Sequence, residues 1–292
     1  PRLLVSRKGS DTFRISDCDL MPAVQLTRLK KQIDNLIGLF GQPAEFTHGL
    51  RALFEQYSDL TYRAGQSVKP NSLLPAYHLP ALVMKTLELS LAPLAVSQPQ
   101  NSLEIADHLW AEGFLEPRQF ACILLGQTAL EPLQPVLARL ESWAANSGDY
   151  SLVIFLLERG SQRIRREAPN RWLDVLRDWT GSSDPNLRRN GLNALLPFIQ
   201  DRAFENLPVI FNLVTPALQQ DSESLSAELQ KTLNALARRS PVETGYFLRQ
   251  ITATTNDANL RRLVRRCLPA FPAETQTRLK DALLTTPVKT AG

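Results

Sequence analysis

Arginines recur in adjacent pairs along the second half of the chain: Arg188/Arg189, Arg238/Arg239, Arg261/Arg262 and Arg265/Arg266. A guanidinium stays charged and presents a planar fork of N–H donors that matches phosphate oxygens, so such pairs suit a polyanionic backbone. The competing reading is that their methylene stems cover the edge of the core while the charges meet local acids. Arg163, Arg165 and Arg166 form a further basic cluster, read as a solvated loop. The remaining chemistry-bearing residues are sparse. His48, His78 and His108 stand alone without a second ligand at metal spacing, so no metal site is expected. Phosphate-loop, dinucleotide and nucleophile-elbow signatures are missing, so no cofactor is expected either.

The 292 residues carry a net charge of +4, unevenly placed. Residues 1–150 hold 13 Lys/Arg against 15 Asp/Glu, and residues 151–292 hold 20 against 14. A basic half points to an anionic partner. Hydrophobic residues make up 43% and charged residues 21%, the balance of a globular chain with a core of its own. No apolar run reaches the ~20 residues that span a bilayer, and no secretory leader opens the sequence. The three cysteines, Cys18, Cys122 and Cys267, are far apart and odd in number, which argues against disulfides and fits a reducing, cytoplasmic setting.

The elements that must position the arginines read as helices. Leu29, Ile33, Leu36, Ile37 and Phe40 share one helical face, and a second helix runs from Pro43 to about Arg63. Residues 64–80, with Gly65, Pro70, Pro75 and Pro80, read as a long loop. Helices are then predicted near 81–92, 101–113, 117–127, 130–146 and 149–159. In the last of these, Leu152 to Leu157 is read as a fully buried helical stretch.

Internal repetition organises the rest. Leu192-Asn193-Ala194-Leu195 returns as Leu233-Asn234-Ala235-Leu236, and Asn186-Leu187-Arg188-Arg189 returns as Asn259-Leu260-Arg261-Arg262. Each Asn-Leu-Arg-Arg follows an aspartate, Asp184 or Asp257, placed to accept from the free N–H groups of the next helix. Predicted helix starts near 117, 149, 186, 224 and 259 give a period of helix–turn–helix size. The expected fold is therefore all-α, a right-handed α-solenoid of HEAT-like repeats spanning residues 21–285. Residues 1–20 read as a loosely ordered arm and 286–292 as a tail. In this frame the arginine pairs fall on the second helix of successive repeats and form a track. Cys267 falls on the apolar stripe Leu260, Leu263, Val264 and Leu268. Trp110, Trp172 and Trp179 read as core, whereas Trp143 is open between core and an outward face.

Residues about 100–250 resemble the HEAT-like alkylpurine DNA glycosylases of the AlkD type. The similar segments are Ala106-Asp107-His108-Leu109-Trp110 with Glu116-Pro117-Arg118, Trp179 to Leu196 around Asp184 and Leu187-Arg188-Arg189, and Glu228 to Ser240. The resemblance implies a concave basic groove for duplex DNA, with Arg188/Arg189 near the backbone. It also implies tryptophans beside a carboxylate, cradling a cationic base. Here the chain departs. Trp143 matches the first tryptophan position, but the residue four later is Ser147 and the nearest acid is Asp149. A shift of two residues turns a helical side chain by about 200°. The second tryptophan position holds Ala235, or Asn234 in the adjacent register.

The expected function is accordingly capture of duplex backbone by a weakly catalytic or non-catalytic relative of these enzymes. The alternative is a protein–protein scaffold. An active glycosylase with a relocated acid, at Asp149, Asp178 or Asp184, is the third reading.

Overall fold

The computed structural model describes residues 24–59, 72–255 and 257–284. The N-terminal arm, the C-terminal tail, Cys18 and the loop up to residue 71 lie outside them. Every regular element among the described residues is helical. They are α1 (Leu26–Ile37), α2 (Pro43–Tyr57), α3 (Ala81–Ser97), α4 (Pro99–Trp110), α5 (Leu115–Gln127), α6 (Gln134–Asn146) and α7 (Tyr150–Phe155). A π-helical turn, Leu156–Gly160, follows α7. Then come α8 (Gln162–Glu167), α9 (Pro169–Thr180), α10 (Pro185–Gln200), α11 (Leu207–Gln220), α12 (Ser226–Arg239), α13 (Pro241–Thr254), α14 (Ala258–Cys267) and α15 (Ala273–Leu284).

Proline and a helical fold coexist because proline opens helices here. Pro43, Pro99, Pro169, Pro185 and Pro241 each occupy a first helical position, where the missing N–H costs nothing. Three aspartates cap inner helices through their side chains. Asp149 accepts from Leu152 N, Asp184 from Asn186 N, and Asp257 from Asn259 N and Leu260 N. The turn chemistry read from the repeats is thus the chemistry that starts the helices.

The helices stack in two rows. One row runs α1, α3, α5, the π turn, α10, α12 and α14, each packed on the next. The other contains α2, α4, α6, α9, α11, α13 and α15, and its successive contacts are looser at several steps. A stack whose one row is closer-packed bends toward it, so the first row is the inner one. Tyr150 of α7 meets Lys231 of α12 across α10, the ring centroid 5.5 Å from Nζ, so side chains of this row reach one another on the same side. Leucine dominates the interior between the rows, and Leu29, Leu87, Leu124, Leu195, Leu233 and Leu260 are all fully buried.

Several elements differ from the sequence reading. α2 ends at Tyr57 rather than near Arg63, because Ser58 turns to an extended conformation. α3 continues through Pro93 to Ser97, where burial of Leu91 and Ala95 outweighs the lost hydrogen bond. The stretch 152–157 is helical but not uniformly buried, since Ile154 and Phe155 are partly exposed.

Arg163, Arg165 and Arg166 lie on α8, not in a loop. Arg163 donates to Gln127 O at 2.7 Å, and Arg165 donates to Glu158 O at 2.8 Å and Leu157 O at 3.3 Å. Those last two carbonyls belong to the π turn, whose altered hydrogen bonding leaves acceptors for a cation to cover. Burial pulls Arg165 down to about 10.

Residues 72–80 form a strap across the starts of α5 and α7. Tyr77 N and His78 N donate to Glu116, at 2.9 and 2.7 Å. Ser72 Oγ and Leu73 N donate to Asp149, at 2.5 and 2.8 Å.

Candidate nucleic-acid interface

The eight arginines read as a track divide into two groups. The first is tied into the protein. Arg188 pairs with Asp221 at 2.9 Å and donates to Ser182 O at 2.7 Å. Arg239 donates to the carbonyls of Arg202 and Phe204, both at 3.0 Å. Arg261 donates to Leu283 O at 3.0 Å, joining α14 to the end of α15. Arg189 is intermediate: it is half-buried and sits 3.4 Å from the carboxylate of Glu228. The second group faces solvent. Among the described residues no ion pair within 4 Å is recorded for Arg238, Arg262, Arg265 or Arg266. All four are exposed on α12 or α14 of the inner row.

Helical spacing explains the division. On α14, Leu260, Leu263, Val264 and Cys267 fill the buried face, so positions 262, 265 and 266 must turn outward together. Arg261 lies at the boundary and finds the α15 carbonyl. Arg262, Arg265 and Arg266 line one depression of about 470 Å³, together with Ser222, Glu223, Ser226 and Asn259. Arg266 donates to Ser226 Oγ at 2.5 Å, and Arg262 to Asn259 Oδ1 at 3.3 Å.

Further along the inner row the structure assembles a group that sequence reasoning passed over. Tyr150 is 45% exposed beside α10 and α12. Its hydroxyl is 3.4 Å from Lys231 Nζ and 3.5 Å from Asn193 Oδ1. Glu228, nearly buried, lies one turn before Lys231 on α12. The sequence signals were faint: Tyr150 follows a capping aspartate, and Lys231 is one of few lysines in an arginine-rich half.

Trp143 and Asp149, the candidates for base cradling and acid chemistry, are otherwise engaged. Trp143 is 6% exposed and stacks on Trp110 with ring centroids 4.4 Å apart and planes 3° from parallel. Arg118 covers Trp110 at 5.7 Å. Asp149 is buried, caps α7 and receives the strap at Ser72 and Leu73. Asp184 is an exposed cap, and Asp178 is exposed on α9 of the outer row. Trp143 is thus held in a stack, and Asp149 is held by its donors. Ala235 and Asn234, at the second tryptophan position, are half-buried on α12. Trp172 and Trp179 are buried and meet edge to face at 5.5 Å.

The capping carboxylates carry a pH signature. Burial pushes the carboxyls of Asp149 and Asp257 up, but hydrogen bonds from Ser72 or Ser222 and from backbone N–H groups outweigh it and hold both below the usual carboxylate value. A group depressed on folding binds its proton more readily when unfolded. Its stabilisation is complete above the unfolded value near ~3.9 and is lost as pH falls through the lower folded value. Melting temperature followed from pH 6 to pH 2 is expected to fall less steeply in Asp149→Asn/Asp257→Asn than in the wild type. Parallel curves would show that these caps do not carry the acid sensitivity.

Both described cysteines, Cys122 and Cys267, are buried; burial pushes the Cys267 thiol up to about 12, so it behaves as core. Among the described residues no cluster of three or more His, Cys, Asp or Glu is placed to hold a metal, and no helix is long and apolar enough to cross a membrane.

No curated protein matches the chain. One solved structure, titled the crystal structure of smu.31 from Streptococcus mutans UA159, is similar at 13% identity over 64% of this chain and 94% of that one, with a TM-score of 0.48. The profile described as DNA alkylation repair enzyme matches residues 89–267, from within α3 to the last residue of α14. That stretch holds the inner helices α5 to α14 with all eight arginines, and the chain belongs to the DNA alkylation repair enzyme family.

Proposed function

We propose that this protein binds duplex DNA through its inner row, by phosphate contacts rather than base readout, and that it has lost or reduced base excision. The carrying observation is the set of outward cations that have no ion-pair partner among the described residues: Arg238, Arg262, Arg265, Arg266 and Lys231 on two adjacent inner helices. Family membership supports DNA as the polyanion. Loss of excision rests on the engagement of Trp143 and Asp149. Stabilising positive charge that develops on a sugar needs a carboxylate free to approach it, and Asp149 is spent on three donors from the strap and α7.

Duplex affinity measured across a salt series tests this. A steep decline of log K with log salt is expected, and Lys231→Ala or Arg238→Ala should each lower the slope by about 1. No binding at low salt sinks the proposal. Release of an alkylated base by the wild type, abolished in Asp149→Asn, would restore the enzyme reading.

A second reading has its own observation. On the outer row, Phe211, Val242, Tyr246, Phe247 and Leu279 line a hollow of about 710 Å³, and Val242 and Tyr246 are 73% and 54% exposed. An apolar hollow of that size favours a protein or peptide partner, and it becomes the leading reading if duplex binding fails.

A further inference from the structure

The depression along α14 has a geometry that a linear backbone track does not require. Arg262, Arg265 and Arg266 converge on one hollow from a single helical turn. Like charges so close repel one another, and among the described residues the hollow contains one acid, Glu223, already accepting from Asn259 Nδ2 at 3.0 Å. The hollow runs along α14 from Asn259 in its first turn to Arg265 and Arg266 in its last, and the N-terminal end of α12 lies beside it at Ser226. Asp257 caps only part of the free N–H set of α14, at Asn259 N and Leu260 N.

We infer that this hollow is a site for a phosphate monoester, and that, given the DNA-binding reading on which this rests, its occupant is the terminal phosphate of a DNA strand. The argument is one of charge and valence. An internal phosphodiester carries one negative charge and two non-bridging oxygens. A monoester carries about −1.5 to −2 at neutral pH and three acceptor oxygens. Three guanidinium groups around one hollow match three oxygens and a dianion, and they are in excess for a diester. Arg188, Arg239 and Arg261 are taken up by Asp221 or by backbone carbonyls, whereas among the described residues Arg262, Arg265 and Arg266 have no ion pair, and Arg266 meets α12 through Ser226 Oγ.

The experiment compares duplexes that differ only at their ends. Fluorescence anisotropy with one short duplex bearing hydroxyl, 5′-phosphate or 3′-phosphate ends reads the preference directly. Adenosine monophosphate serves as the mononucleotide arm and inorganic phosphate as the free-ion arm. The wild type is expected to bind one phosphorylated end at least about tenfold more tightly than the hydroxyl end, the scale of a charge-assisted contact. Arg265→Ala/Arg266→Ala should bind all three duplexes alike while keeping the wild-type circular dichroism and melting curve, because both side chains are exposed.

Equal affinity of the wild type for all ends, with duplex binding intact, overturns the inference and leaves the DNA-binding reading standing. A preference that persists in the double variant overturns it too, since the preference then resides elsewhere. If no duplex binds, the DNA reading has failed. Adenosine monophosphate binding that is lost in the double variant then still supports a monoester site, for a free nucleotide. Its absence overturns the site.

Discussion

Replacing Trp143 with alanine is expected to lower the unfolding free energy by about 3–5 kcal/mol, the usual cost of deleting a large buried aromatic side chain. The indole is almost wholly buried on α6 and lies flat on Trp110 at the end of α4, with Arg118 against the second ring. Its removal empties a layer between two outer helices that make few other close contacts. Stacked aromatic pairs add to the area term, so the upper part of the range is expected. Denaturant unfolding with tryptophan fluorescence or circular dichroism measures the loss. Duplex affinity at a temperature where the variant remains folded should be unchanged. If the variant instead keeps its stability and loses DNA binding or base release, Trp143 is a ligand-facing residue and the reading of an occupied stack is wrong.

Gly126→Ala should be comparably severe, at about 3 kcal/mol, because overpacking against a backbone has no cheap relaxation. A methyl group at Gly126 would stand 1.9 Å from the carbonyl oxygen of Arg159 and 3.3 Å from the Cα of Gly160. Both belong to the π turn, which α5 meets backbone to backbone. Relief requires the π turn to withdraw, and Arg165 holds it through the carbonyls of Leu157 and Glu158. Gly113→Ala is the control: nothing lies within 4 Å of its added methyl, and its effect should stay within about 0.5 kcal/mol. Thermal melts of the two variants side by side decide the matter. Equal behaviour would mean that the π turn adjusts freely.

These two sites show where sequence reading stops. The helical class, the repeat and several helix starts were legible, because each depends on local chemistry. Apolar spacing at 3.6 residues fixes which face is buried, and an aspartate before Asn-Leu-Arg-Arg caps a helix whatever surrounds it. The outward turn of Arg262, Arg265 and Arg266 follows from the same periodicity, since Leu263, Val264 and Cys267 claim the inner face. The family resemblance was legible on short segments and agrees with the matched stretch 89–267.

What the sequence alone left open was the state of each charged or aromatic group, because that depends on residues far away in the chain. Arg188 and Arg189 are adjacent in sequence, yet one is bound by Asp221 and the other rests near Glu228. Arg261 and Arg262 part in the same way, because only Arg261 reaches the end of α15. Asp149 is taken by a strap 76 residues earlier, and Trp143 by an indole 33 residues earlier. Tyr150 and Lys231, 81 residues apart in the chain, meet only because α7, α10 and α12 stack. The sequence by itself determined an all-helical solenoid with arginine pairs on α10, α12 and α14. Tertiary structure decided which cations stay free, which carboxylates are spent as caps and which tryptophans are filling, because each outcome is set by a partner that folding alone brings within hydrogen-bonding or stacking distance.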